Sequence, residues 1–148
     1  MESNAYENDY IFRSKLPAIP IPDHLPVHAY IFQNLHRHPS RPALIDSPSG
    51  KTLTHSELEL AARKLAAGLH GLGIRRGHVI MLLLHNSPEF LISFLAASMT
   101  GATTTTANPN YTISEIASQV AVSGPTVIIT HSSYAGKAAS SSGARNMI

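Results

Sequence analysis

The sequence feature that most limits the possible folds is an unbroken apolar run from Val79 to Leu84, followed closely by helix-start signals. A strand that is apolar at every position must be covered on both faces, which is typical of parallel strands in α/β proteins. Ser87 can accept a hydrogen bond from a free helix amide, and Pro88 at the first helical position loses no donor that the helix needs. The run therefore predicts a buried strand that leads directly into a helix.

The residues after this run repeat the alternation of strand and helix. Gly101 can end the first helix, because glycine adopts the left-handed conformation readily. The β-branched run Thr103 to Thr106 predicts a second strand. Thr112 and Glu115 have the spacing of a capping box, which predicts a second helix. That helix runs through Val122, and a break at Gly124 and Pro125 precedes a third strand, Thr126 to Thr130.

The residues before the central unit predict smaller elements around it. Four prolines (Pro17, Pro20, Pro22 and Pro26) predict an extended path whose apolar residues, among them Ile19 and Ile21, pack on a larger body. A helix is predicted from Val27 to about His36, because Tyr30, Ile31 and Leu35 have helical spacing. Strands are predicted at Pro42 to Asp46 and at Thr52 to Thr54. A second helix, capped by Thr54 and Glu57, is predicted to stop at Gly73. The predicted fold class is α/β, a partial doubly wound parallel sheet with flanking helices and right-handed crossovers.

Composition excludes several classes of function. The 148 residues carry a formal charge of only +2 and no run of Lys or Arg, so we expect no nucleic-acid partner. The absence of Cys excludes disulfides, thiolate zinc sites and a cysteine nucleophile. No apolar run approaches the roughly 20 residues needed to span a bilayer, and the polar N-terminus lacks the pattern of a secretory signal. We therefore expect a cytoplasmic protein.

Several segments resemble the N-terminal region of the plant 4-coumarate:CoA ligases, which belong to the adenylate-forming acyl-activating superfamily. The resemblance covers about Ile11 to Lys137 and includes IFRSKLPAIPIP, RPALID, the long stretch LTHSELELAARKLAAGLHGLGIRRGHVIMLLLHNSPEFLISFLAASMTGA, and ANPNYTISEI. The resemblance implies a partial AMP-binding domain at 11–137, and the polar composition of the two ends predicts a flexible N-terminus at 1–10 and a divergent flexible tail at 138–148. His85 and Asn110 depart from the family pattern, which commonly has Pro and an aromatic residue there.

The resemblance also implies a chemistry for the intact family enzyme in phenylpropanoid metabolism. A hydroxycinnamate carboxylate attacks ATP, with Mg²⁺ assisting, and the acyl-adenylate then forms a thioester with coenzyme A. The family's phosphate loop, its adenine and ribose motifs and its catalytic Lys lie downstream of the matched region. We therefore predict no catalytic, cofactor-binding or metal-binding residue in this chain, and no activity of the chain alone.

Several candidate site residues also have a simpler structural interpretation. Asn86, Asn108 and His131 each follow a predicted strand, at the edge where ligands bind in open α/β sheets, although capping and turn roles account for the two asparagines. The segment SSSGA at Ser140 to Ala144 lacks the Lys of a phosphate loop. The simpler role is favoured for the other candidates: a solvated turn for Arg75 and Arg76, a helix cap for Ser87, and no metal site for the nine His residues.

Two alternatives to a ligase region remain open. The chain could be a non-catalytic interaction module that pairs with an intact ligase, or a flavodoxin-like nucleotide binder, which the lack of a Gly-rich loop after a strand disfavours. The nearly all-apolar elements also predict self-association through exposed apolar surface.

Overall fold

A computed structural model describes residues 15–141 and 146–148 of the chain. Its centre is a parallel sheet in the order β4-β3-β5-β6. The strands are β3 (Val79–Leu83), β4 (Thr103–Thr106), β5 (Val127–Thr130) and β6 (Asn146–Met147), and a separate antiparallel hairpin is formed by β1 (Pro42–Ile45) and β2 (Thr52–Thr54). The three strands predicted for the central unit are confirmed, and so is their parallel pairing.

In the part of the chain that the structure describes, five helices surround the sheet: α1 (Val27–Phe32), α2 (His55–Gly71), α3 (Pro88–Thr100), α4 (Ile113–Ser123) and α5 (Ala135–Ser141). Two short 3₁₀ turns lie at Leu35–Arg37 and Ser132–Tyr134. The predicted caps form, because Ser87 accepts from the amide of Phe90 and Thr112 makes a capping box with Glu115. Gly101 ends α3 in the left-handed conformation, with φ of 73°.

The sheet divides the core into two layers. Ile80, Leu82, Val127 and Ile129 face α2 and α3, where Ala66, Leu69, Ala96 and Ala97 meet them. Met81, Leu83 and Ile128 face the opposite way, toward Ile116 of α4 and Ala138 of α5. Strand β3 is covered on both faces, as predicted, and this explains why every residue of its run is apolar.

The first helix is shorter than predicted, and its apolar face is different. It ends at Phe32, where the sequence predicts a helix to about His36. Tyr30 and Ile31 are exposed, whereas Phe32 is buried against Leu58 and Leu95. Docking of Phe32 between α2 and α3 decides which face turns inward, and this contact involves residues far away in the sequence.

The prediction that the proline-rich segment packs on a larger body is wrong for its two isoleucines. The side chains of Ile19 and Ile21 are 82% and 85% exposed. Fixed proline φ angles produce the extended path, but they do not supply a surface for it to pack on.

The expectation of a tail without regular structure after Lys137 is also wrong where the structure describes it. Residues 138–141 complete α5, and residues 146–147 pair with β5 as a parallel strand. The small side chains have a physical role here, because Ala138 is fully buried and the Ser141 hydroxyl donates to carbonyls of Ile113 and Lys137. Residues 142–145 and the predicted boundary at residues 10 and 11 lie outside the described residues.

Candidate functional site

The candidate site is the crevice beyond the carboxyl ends of β3 and β5. After β3 the chain crosses to β4 through α3 on one face of the sheet, and after β4 it returns to β5 through α4 on the other face. Adjacent strands β3 and β5 lead to helices on opposite faces, because α3 follows β3 on one face and α5 follows β5 on the other. Such a point is where open α/β sheets bind their ligands.

A cavity of about 520 Å³ lies at this crevice. Its floor is apolar and comes from α2, α3 and the strand ends: Leu65, Leu84, Ile92, Ile129 and Ile148. Its rim consists of polar residues that are at least partly exposed: His85, Ser87, Glu89, Thr130, His131, Ser133 and Tyr134. Ser93 also lines the cavity but is buried. The volume is within the usual range for ligand pockets, so the chemistry of the rim decides what the cavity can hold.

Several polar groups of the rim are hydrogen-bonded to one another or to nearby backbone groups. His85 Nε2 and the Tyr134 hydroxyl are 2.6 Å apart, and their rings meet edge to face. The Thr130 hydroxyl donates to the carbonyl of Leu83 at 2.9 Å. His131 Nδ1 accepts from the amide of Ser133 at 3.2 Å, which fixes it as the cap of a 3₁₀ turn. These bonds hold the rim together and leave an apolar floor between its sides.

The charges around the crevice do not suit a polyphosphate. Glu89 lies in the first turn of α3, where its carboxylate opposes an incoming anion at the positive helix end. Lys137 Nζ donates to the carbonyls of Pro109 and Tyr111, each at 2.8 Å, and lies 5.9 Å from the centre of the Tyr134 ring. Lys137 therefore fastens the loop before α4 to α5.

Comparison with known proteins assigns this architecture to a family. Residues 31–147 match the description of the AMP-binding enzymes. The chain belongs to the AMP-binding enzyme family. It is 56% identical over 137 residues to 4-coumarate-CoA ligase 1 of Narcissus pseudonarcissus, covering 93% of this chain and 25% of that protein. A 4-coumarate--CoA ligase of Humulus lupulus is 51% identical over 140 residues, covering 93% and 26%.

Several solved structures have the same fold. The luciferase-like enzyme of the mealworm Zophobas morio superposes with a TM-score of 0.80 at 19% identity, covering 88% of this chain and 33% of that one. A benzoate CoA ligase of Burkholderia xenovorans superposes with a TM-score of 0.77 at 23% identity, covering 84% and 26%. The predicted fold class is confirmed, and the chain spans about a quarter of the length of the curated relatives it matches.

The three residues predicted at the sheet edge are divided between two hollows. His131 lines the 520 Å³ cavity, whereas Asn86 and Asn108 line a shallower hollow of about 340 Å³ beyond β3 and β4. The turn role predicted for Asn108 is confirmed, since its Oδ1 accepts from the amide of Asn110 at 2.9 Å.

Sequence reasoning did not name the residue pair that closes the cavity rim, His85 and Tyr134. Both residues follow strands closely in the sequence: His85 is two residues after β3, and Tyr134 is three residues beyond His131, which follows β5. Placing both beside one crevice requires knowing that β5 pairs directly with β3.

The other candidates have structural roles where the structure describes them. Arg75 Nη1 donates to the carbonyls of His70 and Ile74, at 2.6 Å and 2.8 Å, so it holds the end of α2 as well as forming a turn. Ser140 and Ser141 of the SSSGA segment belong to α5. Within residues 15–141 and 146–148, no three His, Asp or Glu side chains group as a metal site, and no helix is long and apolar enough to cross a membrane.

The shifted pKa values lie away from the cavity. Burial, followed by the nearby Arg63 charge, lowers the pKa of His28, whose Nδ1 is 3.0 Å from the Ser98 hydroxyl. Hydrogen bonds from the capping threonines Thr54 and Thr112 lower the pKa of Glu57 and Glu115. These groups lie at helix caps and at the contact between α1 and α3, so their shifted pKa values do not mark an acid-base site.

Proposed function

We propose that this chain is the early part of the large domain of a hydroxycinnamate:CoA ligase and has no ligase activity by itself. The intact enzyme would activate a hydroxycinnamate with ATP and Mg²⁺ and then transfer the acyl group to coenzyme A, in the cytoplasm and in phenylpropanoid metabolism. The observation that carries the proposal is 56% identity to a 4-coumarate-CoA ligase over almost the whole chain.

The residues described here do not fit a triphosphate, which supports the part of the proposal that concerns inactivity. The crevice beyond β3 and β5 has an apolar floor, a rim in which His85 is bonded to Tyr134 and His131 to Ser133, and the Glu89 carboxylate at the helix start. Lys137 of α5 donates to two backbone carbonyls of the loop before α4, those of Pro109 and Tyr111. Phosphate binding needs convergent donors and positive charge, which this crevice does not offer.

The test is formation of coumaroyl-CoA by the purified 148-residue chain with 4-coumarate, Mg-ATP and coenzyme A. We expect no product above a heat-denatured sample. The intact Narcissus ligase serves as the positive control. Turnover by the chain alone would show that it contains a complete active site and would refute the proposal of inactivity.

A second candidate function is an interaction module that pairs with ligase polypeptide. The open apolar floor of the cavity favours it, because such surface is usually covered by protein. Self-association through the same surface is part of this candidate. Light scattering across a dilution series would detect it as a molecular mass that rises with concentration.

A further inference from the structure

The loop between the 3₁₀ turn at Leu35–Arg37 and β1 is exposed along its whole length. Residues 36–42 are all exposed, and their sequence is His-Arg-His-Pro-Ser-Arg-Pro. This stretch contains a single hydroxyl, that of Ser40, with Arg37 three residues before it and Arg41 directly after it. A serine in an exposed loop, with a positive charge on each side, can be reached by an enzyme that has an acidic substrate groove.

The polar side chains around this serine are not engaged by the fold. Among residues 15–141 and 146–148, neither Arg37 nor Arg41 forms an ion pair. In the same part of the chain, the Ser40 hydroxyl has no hydrogen-bond partner. An enzyme can therefore bind these three side chains without breaking a native side-chain bond, whose loss would oppose binding.

Three hydroxyl residues of the chain have a Lys or Arg three positions before them: Ser40, Thr54 and Ser140. The fold engages the other two. The Thr54 hydroxyl donates to the Glu57 carboxylate at 2.8 Å in the capping box of α2. The Ser140 hydroxyl donates to the carbonyl of Gly136 at 2.9 Å within α5, and Lys137, its basic neighbour, is held by two backbone carbonyls. Only the Ser40 position combines this spacing with a hydroxyl that is unbonded among the described residues.

The surroundings of Ser40 also accommodate a phosphate. The carbonyls on either side of it accept from the amides of His55 and Ser56, at 3.0 Å and 3.1 Å, in the first turn of α2. Ser40 therefore lies beside the positive end of a 17-residue helix, between two arginines. A phosphate of charge about −2 is favoured by such neighbours, and the opposing Glu57 carboxylate is already bonded within the capping box.

We propose that Ser40 is a phosphorylation site for a serine/threonine kinase of the class that selects an arginine three residues before the acceptor. Carboxylates of the kinase would pair with the Arg37 guanidinium, while Ser40 Oγ attacks the γ-phosphorus of Mg-ATP bound to the kinase. The Oγ–P bond forms, the bond from the γ-phosphorus to the bridging oxygen breaks, ADP leaves, and the hydroxyl proton passes to the catalytic Asp of the kinase. The inference goes beyond the proposed function and does not depend on ligase activity.

The test is incubation of the folded 148-residue chain with a calcium- and calmodulin-dependent protein kinase and Mg-ATP, followed by mass spectrometry. A standard peptide substrate confirms that the kinase is active. We expect phosphate on Ser40 and none on Thr54 or Ser140. Ser40→Ala should remove that signal, and Arg37→Gln should lower its initial rate about tenfold or more, because the charge-assisted bonds to the kinase are lost.

Arg41→Gln is the matched control. It removes the same charge from the same exposed loop, but from the position after the acceptor. The rate of phosphorylation of Ser40 should therefore stay close to that of the unchanged chain. Circular dichroism should show that the Arg37 and Arg41 variants are folded.

Each outcome decides the inference. Phosphate on Ser40 that depends on Arg37 and not on Arg41 supports it. Absence of phosphate from Ser40 overturns it, and so does the same rate in the two arginine variants. Comparable phosphorylation of Thr54 or Ser140 also overturns it, because the fold would then not select the site. If a synthetic peptide of residues 34–44 is phosphorylated and the folded chain is not, the loop is closed in the fold and the inference is wrong.

Discussion

At the scale of single residues, His28 links the first helix to the body of the protein. Its Nδ1 lies 3.0 Å from the Ser98 hydroxyl of α3, and burial with the Arg63 charge lowers its pKa. A histidine whose pKa falls on folding binds its proton less readily in the folded state. Its contribution to stability is therefore present above the unfolded pKa of about 6.5 and is lost as the pH falls below it.

We expect the free energy of unfolding to decrease as the pH falls from 7.5 to 5.5, and we expect a smaller decrease in the His28→Gln variant. Urea denaturation at three pH values measures the free energy of unfolding of both proteins. His36→Gln is the control, because His36 is exposed in the 3₁₀ turn. Equal pH dependence in the His28 variant and the unchanged chain would contradict the role assigned to His28.

Gly101 is the residue at which backbone conformation most limits substitution. Its φ is 73°, and an added Cβ would lie 3.4 Å from the Cβ of Arg76. Gly101→Ala should destabilise the fold by about 1–2 kcal/mol, because a left-handed conformation strains any residue with a Cβ. Gly68→Ala, near the carboxyl end of α2 with open space around it, should stabilise by about 0.5–1 kcal/mol.

Thermal or urea unfolding of both variants measures this difference. The prediction is that the same Gly→Ala substitution changes the free energy of unfolding in opposite directions at the two positions. Two changes of the same sign and size would show that the left-handed end of α3 is not under the constraint described.

At the scale of elements, the sequence predicts well what depends on neighbours in the chain. The caps of α3 and α4 follow from Ser87, Thr112 and Glu115, whose partners are three residues away. Phe32 could not be assigned as the buried residue of α1 in the same way, because its contacts are with Leu58 and Leu95. Helix α5 could not be predicted from its own residues for the same reason, because it is stabilised by contacts with α4 and β5.

Two substitutions in α5 test whether residues 138–141 form a helix that packs on the sheet. Ala138 is fully buried against the sheet and its neighbour Ala139 is exposed. Ala138→Asp would bury an unpaired charge, so it should destabilise by about 2–4 kcal/mol. Ala139→Asp should change stability by about 0.5 kcal/mol or less.

Denaturant unfolding of the two variants distinguishes a packed helix from an unstructured tail. If both substitutions have the same small effect, residues 138–141 do not pack on the sheet in solution. Equal large losses would instead indicate that the exposed face of α5 is also covered.

At the scale of the whole molecule, the sequence predicts the sheet edge but not the cavity. The strand order places His131 next to the end of β3, as expected for the carboxyl edge of a parallel sheet. His85 and Tyr134 are 49 residues apart, and their contact depends on how α3 and the 3₁₀ turn leave adjacent strands. The apolar floor joins side chains from α2, α3, β5 and the end of β6, and no local pattern connects them.

We propose that these residues form part of the scaffold of an adenylate-forming enzyme without the groups that hold a triphosphate. Isothermal titration of the folded chain with Mg-ATP tests it most directly, with the intact Narcissus ligase as the positive control. We predict no heat beyond dilution at ATP concentrations that saturate the ligase. Saturable binding that His131→Ala or Lys137→Ala weakens would contradict the claim, because it would place the phosphates against side chains of this chain.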